Sequence, residues 1–180
     1  MMALITAGIG DCKVSKDTSD ILVTHALGSC IGVMLYDPVA KVAGLLHFML
    51  PESSLDRDKA IHRPSMFADT GIPLLIKSAC ELGASKSRSL IMATGGAQML
   101  DHQGTFNIGH RNQLAMRKVF WKAGIIVQKE EIGGTSSRTV RIDVASGRVL
   151  LRTSGGVEQD MLFNSKKIGA GDGFQHTYRR

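Results

Sequence analysis

Two apolar runs joined by a turn signal constrain this chain more than any other feature. Ile31-Gly32-Val33-Met34-Leu35-Tyr36 leads into Asp37-Pro38, and Val42 to Leu50 forms a second run closed by Pro51. Short β-rich runs punctuated by proline read as adjacent antiparallel strands. The pattern recurs along the chain. Ile21-Leu22-Val23, Leu90-Ile91-Met92-Ala93 (running into Gly95-Gly96) and Ile125-Ile126-Val127 read as further strands. Thr139 to Val144 alternates with period two and turns at Ser146-Gly147 into Arg148 to Arg152, a hairpin with one buried face. Two segments carry helical spacing. Ile72, Leu75, Ile76 and Ala79 form a stripe within Ser65 to Leu82, with Gly83 as a stop and Pro73 beginning or kinking the helix. Asn107 caps a second helix that ends at Gly124, its apolar face made of Ile108, Ala115, Met116, Val119, Phe120 and Ala123. Glu52 to Arg63 is charged and polar and reads as a loop. About seven strands against two helices, with hairpins dominant, give an α+β fold, mainly antiparallel, in which helices cover a sheet or a sandwich.

At 180 residues the chain suits one domain with a sizeable core. We expect a single domain over residues 1–163 and a basic, Gly-rich, flexible tail over 164–180. The net charge is +6, but half of the excess lies in that tail, and aromatic residues make up only 5%. A base-stacking platform is therefore not expected, which argues against a nucleic-acid reader. The longest apolar run is interrupted by His47 and falls well short of a bilayer span, and the N-terminus lacks a basic segment and a cleavage pattern. Cys12, Cys30 and Cys80 form no Cys-x-x-Cys pair, so neither a disulfide framework nor a zinc site is expected. His62, His102, His110 and His176 lack metal-ligand spacing. These features suit a cytoplasmic protein with reduced thiols and no metal.

The stretch that can carry chemistry is Thr24-His25-Ala26-Leu27-Gly28-Ser29-Cys30, followed by the hairpin that ends in His47. If Asp37 to Ala40 is a four-residue loop, Tyr36 and Lys41 are the last paired residues, and an unbulged ladder sets Cys30 directly opposite His47. Facing side chains then project from one side with Cβ atoms roughly 4.5–5.5 Å apart, close enough to share a proton. An imidazolium beside the thiol would lower its pKa by about two units. Gly28-Ser29 permits a tight entry turn and leaves backbone N–H groups free to hold an oxyanion. Thr24 on an adjoining strand would accept from the second ring nitrogen of His47 and fix its tautomer. The ordinary alternative is a buried, inert cysteine and a satisfied core histidine. Cys12 and Cys80 read as packing residues, and Gly95-Gly96 as a tight turn, since no Lys-Ser/Thr follows.

Leu27-Gly28-Ser29-Cys30, Leu35-Tyr36-Asp37-Pro38 and His47-Phe48-Met49-Leu50-Pro51 resemble the chemoreceptor glutamine deamidase family, CheD. Gly95-Gly96-Ala97, Asn107 to Asn112, Gly133-Gly134 and the 140–150 hairpin agree in order and spacing, so the resemblance runs from about Gly8 to Arg152. It implies a β-sandwich of mixed, mainly antiparallel sheets flanked by two or three helices, similar to bacterial toxins that deamidate glutamine. It implies Cys30 as nucleophile, His47 as base and Thr24 as third member, supported by Gly28 and Ser29. Phe48, Arg111 and Asn112 would form a substrate or partner rim, with capping and salt bridging as the ordinary roles of the two helical residues. The implied reaction is hydrolysis of chemoreceptor glutamines to glutamate, without cofactor, with a CheC-type phosphatase as regulatory partner. The alternative is a binding module of the same fold that docks to receptors or phosphatase with little catalysis and has no need of a depressed thiol pKa. Leu46, His25 and Ser137 depart from the residues usual at their positions, the first two bearing on the pocket and the third on a loop.

Overall fold

The computed structural model describes residues 3–98 and 107–162. The expected central hairpin is present: β4 (Ile31–Asp37) and β5 (Val42–Phe48) pair antiparallel, and every residue of both strands is buried. A strand buried along its whole length has cover on both faces. On one side Ile31, Val33, Leu35, Leu46 and Phe48 meet helices; on the other Met34, Tyr36, Ala43 and Leu45 meet a second sheet.

The remaining elements complete three layers. β2 (Asp11–Ser15), β5, β4, β6 (Leu90–Gly95) and β7 (Lys129–Ile132) form the inner sheet in that order. β1 (Ala3–Thr6), β3 (Asp20–Leu27), β8 (Arg138–Asp143), β9 (Val149–Thr153) and β10 (Glu158–Asp160) form the outer one. β1 pairs with β3, and β6 with β7, in parallel, while the other pairings are antiparallel. The sheets share a core of Leu22, Leu27, Met34, Leu45, Met92, Val140, Ile142 and Val149. α2 (Ala68–Glu81) and α3 (Ile108–Lys122) cover the other face of the inner sheet with Ile72, Leu75, Ala79, Ala115, Met116 and Phe120. Each such buried Ile, Leu, Met or Phe side chain contributes about 1.5–3 kcal/mol, and each alanine less. The architecture is α+β with two mixed sheets.

Several local expectations are corrected. The hairpin turn lies one residue further along: Asp37 pairs with Val42, and Gly32, not Cys30, stands opposite His47. Asp37 is held in the strand because its buried carboxylate accepts from Val39 and Ala40 N–H, from Ser85 N–H and from Arg88. Lys41 adopts a left-handed backbone (φ 52°) and belongs to the turn. Ile125–Val127 is not a strand; β7 begins at Lys129, and Ile126 is exposed. β1, β2 and β10, short and mostly half-exposed or exposed, were not anticipated. Pro73 lies inside α2. Asn107 occupies the cap position of α3 but makes no capping side-chain bond. Glu52 to Arg63 contains a 3-10 turn at Ser53–Leu55 and a short helix, α1 (Arg57–His62), capped by the Asp56 carboxylate. The expected tail over 164–180 lies outside the described residues. Among those described, no helix is long and apolar enough to cross a membrane.

Candidate active site

At the end of the hairpin away from its turn, three elements converge: β3 with Thr24, the Gly28–Cys30 bend, and β5 with His47. Thr24 and His47 are both buried, on facing sheets. The Thr24 hydroxyl is 2.6 Å from the Ala7 carbonyl oxygen and 2.8 Å from His47 Nδ1. A hydroxyl has one proton, and a carbonyl only accepts, so Thr24 donates to Ala7. Nδ1 must therefore carry the ring proton and donate to Thr24 Oγ1, leaving Nε2 with its lone pair free. Nε2 is buried and has no hydrogen-bond partner among the described residues.

Cys30 lies one residue before β4, half-buried and packed against the core between the sheets. The corrected register slips by an even number, so Cys30 and His47 keep the same side of the sheet but as diagonal rather than opposed neighbours. Diagonal positions stand roughly 7–8 Å apart at the backbone. Gly32 occupies the facing position, and any Cβ there would meet Leu27 Cδ1 at 2.9 Å. A bulge between Thr24 and Leu27, with Ala26 left-handed (φ 55°), carries the chain from β3 into the bend.

The bend is gripped through its carbonyls. Gly28 O accepts from Ala97 N–H and Cys30 O from Gly96 N–H, both at 2.8 Å, while Ser29 O accepts from Asn112 Nδ2 at 2.9 Å. Gly95 makes the approach possible: at φ 112° it takes a backbone that suits glycine, and a Cβ would land against the Cys30 carbonyl.

Burial dominates the electrostatics. It pushes His47 down to about 4, against the pull of the Ala7 carbonyl and the Asp11 carboxylate. It raises the Cys30 thiol, with the residue's own N–H acting the other way. Near pH 7 the site therefore holds a neutral thiol and a neutral imidazole. The imidazolium-depressed thiol expected from the sequence is absent from the free site, because both charged forms are disfavoured by the same apolar surroundings. This arrangement suits a base that accepts a proton during attack rather than beforehand.

Two expected rim residues are elsewhere. Phe48 is fully buried on the helix-facing side of β5, because neighbouring strand residues point to opposite faces. Asn112 is also fully buried, and its amide donates to Ser29 O and Met49 O, each at 2.9 Å. Only Arg111 is exposed. The position of Asn112 on the Ile108–Met116 stripe was the signal available in the sequence; the Ala7 carbonyl, a backbone group, had none. Leu46 packs on the helix side and His25 is exposed, so neither lies in the core beside His47. In the 133–138 element the left-handed positions are Gly133 and Gly134, while the Ser137 carbonyl simply accepts from Ser154 N–H. Cys12 packs as expected, its thiol pushed up to about 11 by burial; Cys80, past the stripe of α2, is exposed. His62 and His110 are exposed, and His102 and His176 lie outside the described residues. Among the described residues no cluster of His, Cys, Asp or Glu could hold a metal ion.

Comparison with known proteins gives a consistent answer. The family model for CheD chemotactic sensory transduction matches residues 49–153. "Probable chemoreceptor glutamine deamidase CheD" of Solibacter usitatus is 49% identical over 154 residues, covering 86% of this chain and 91% of the relative. "Probable chemoreceptor glutamine deamidase CheD 1" of Syntrophus aciditrophicus is 50% identical over 155 residues, covering 86% and 97%. The crystal structure of the Bacillus licheniformis hypothetical protein YfiH aligns at 13% identity over 69% of this chain and 50% of its own, with a TM-score of 0.36, too low to carry an argument.

Proposed function

This chain belongs to the CheD family, and on that premise we propose that it is a protein-glutamine deamidase of methyl-accepting chemoreceptors, with Cys30, His47 and Thr24 as its working residues. The Cys30 sulfur attacks the carboxamide carbon while its proton passes to His47 Nε2. The carbonyl electron pair moves onto oxygen, and the resulting oxyanion is held by backbone N–H groups of the Gly28–Cys30 bend. Collapse breaks the C–N bond, and the departing nitrogen takes the proton from Nε2 and leaves as ammonia. Water then attacks the thioester and gives one proton to Nε2, the thiol recovers that proton as the carboxylic acid leaves, and the acid's remaining proton passes through solvent to the ammonia. The sum is carboxamide plus water to carboxylate plus ammonium. Throughout, Thr24 keeps the ring proton on Nδ1. Thiol, imidazole and water suffice for these steps.

One observation carries this reading: the Thr24 proton is committed to Ala7, which leaves His47 Nε2 as a bare acceptor on the same side of the sheet as Cys30. Ammonia release from a purified chemoreceptor signalling domain tests it. Wild type is expected to release ammonia, and Cys30→Ala and His47→Ala to release none; undiminished release by Cys30→Ala would refute the nucleophile. The wider reading is a cytoplasmic enzyme whose catalytic domain spans residues 1–163, with a fold like that of the deamidating toxins. A CheC-type phosphatase would regulate it by covering the same surface.

A further inference from the structure

Asn112 is a polar side chain on the apolar stripe of α3, a placement that is costly unless it is used. Both of its amide hydrogens are used, one on the carbonyl of Ser29 and one on the carbonyl of Met49. The reverse orientation would set its oxygen against two carbonyl oxygens, so the amide is fixed. These two acceptors lie next to the candidate catalytic pair: Ser29 precedes Cys30, and Met49 follows His47 by two residues. The seat of α3 is equally close. Gly109, one turn earlier, lies against the bend's other supports, where a Cβ would come within 2.6 Å of Gly96 O and 2.7 Å of Ala97 O.

A trans peptide is planar, with C=O and N–H pointing in opposite directions. The Ser29 carbonyl and the Cys30 N–H are the two ends of one such plane. Holding the first on Asn112 aims the second away from α3, and the bond also polarises the peptide. The same logic applies to Gly28 O, held by Ala97, and the Ser29 N–H.

We propose that Asn112 is a positioning residue for the oxyanion: by fixing the Ser29–Cys30 peptide it directs the Cys30 N–H toward the oxygen that becomes negative during attack. Through Met49 it ties the same peptide to the strand end that carries His47. This inference rests on the deamidase reading.

The test compares two reactions of one thiol. Deamidation of a chemoreceptor signalling domain passes through an oxyanion, whereas alkylation of Cys30 by iodoacetamide does not. For Asn112→Leu we expect kcat for deamidation to fall about ten- to hundred-fold, with KM and the alkylation rate within about threefold of wild type. A kcat within threefold of wild type overturns the proposal. So does an alkylation rate that falls in step with kcat, which would make Asn112 a support of the fold alone. Asn112→Asp, nearly identical in shape but, as a carboxylate, without either donor, is read by the same criteria if Asn112→Leu does not fold. Wild type and Cys30→Ala run alongside: an inactive wild type removes the deamidase reading itself, whereas a Cys30-dependent wild type with fully active Asn112 variants removes only this inference.

Discussion

A single hydroxyl proton decides which nitrogen of His47 can act. Because Thr24 donates to Ala7, its oxygen can only accept from Nδ1–H. Thr24→Val removes that acceptor, frees the ring tautomer and leaves the Ala7 carbonyl without its partner. We expect kcat to drop about ten- to hundred-fold, with a stability loss of about 1–3 kcal/mol. Thr24→Ser retains the hydroxyl and should keep most activity; steady-state kinetics on the receptor domain distinguish the two. The charge state of Cys30 gives a second expectation at this scale. With the thiol raised by burial, alkylation by iodoacetamide should still be climbing where an ordinary cysteine, with a pKa of ~8.5, is half ionised. A plateau below neutral pH would mean a preformed thiolate–imidazolium pair and contradict the general-base route.

The hairpin that sets Cys30 and His47 on one side of the sheet has its turn at the far end. Asp37 is buried, and its carboxylate takes N–H groups of Val39, Ala40 and Ser85 as well as the Arg88 guanidinium, 2.8 Å away. Asp37→Asn removes the charge from these contacts and leaves Arg88 unpaired. The expected loss is about 2–4 kcal/mol, read as a lower urea midpoint at pH 7. The same residue explains how far the sequence could be read. Two continuous apolar runs and Asp37-Pro38 make the hairpin legible, but its register also rests on long-range bonds to Ser85 and Arg88 that no local pattern encodes. An even slip preserves sidedness, which is why Cys30 and His47 still lie on the same side of the sheet although their pairing is wrong. Phe48 and Asn112 leave the expected rim for another reason, the face that each element turns toward the core. Strand alternation sends Phe48 to the other face, and helical periodicity buries Asn112. Lys129–Ile132, a half-buried parallel edge strand, has no apolar run to mark it, and the more hydrophobic Ile125–Val127 drew the assignment instead.

Burying an imidazole and a carboxylate in one three-layered body makes stability depend on pH in two separate windows. His47 falls from 6.5 to about 4 in the folded state, so the unfolded chain binds the proton more readily. Stability is therefore complete above the unfolded value and declines as pH drops toward 4, by up to about 3 kcal/mol. Asp37 is lowered from 3.8 to about 2; burial alone would raise it, but the surrounding N–H groups and Arg88 prevail. Its contribution, about 2 kcal/mol, is present above 3.8 and lost as pH falls toward 2. Urea midpoints followed from neutral pH downward should fall in the first window for wild type and much less for His47→Gln; a wild-type midpoint that holds steady to about pH 4.5 would contradict the neutral burial of His47. For the enzyme as a whole, the most direct measurement is the intact mass of a chemoreceptor signalling domain co-expressed with this protein. The account predicts a gain of about one dalton per converted glutamine, in an uncut chain, with wild type and none with Cys30→Ala. An unchanged mass with wild type, or the same gain with Cys30→Ala, would contradict it.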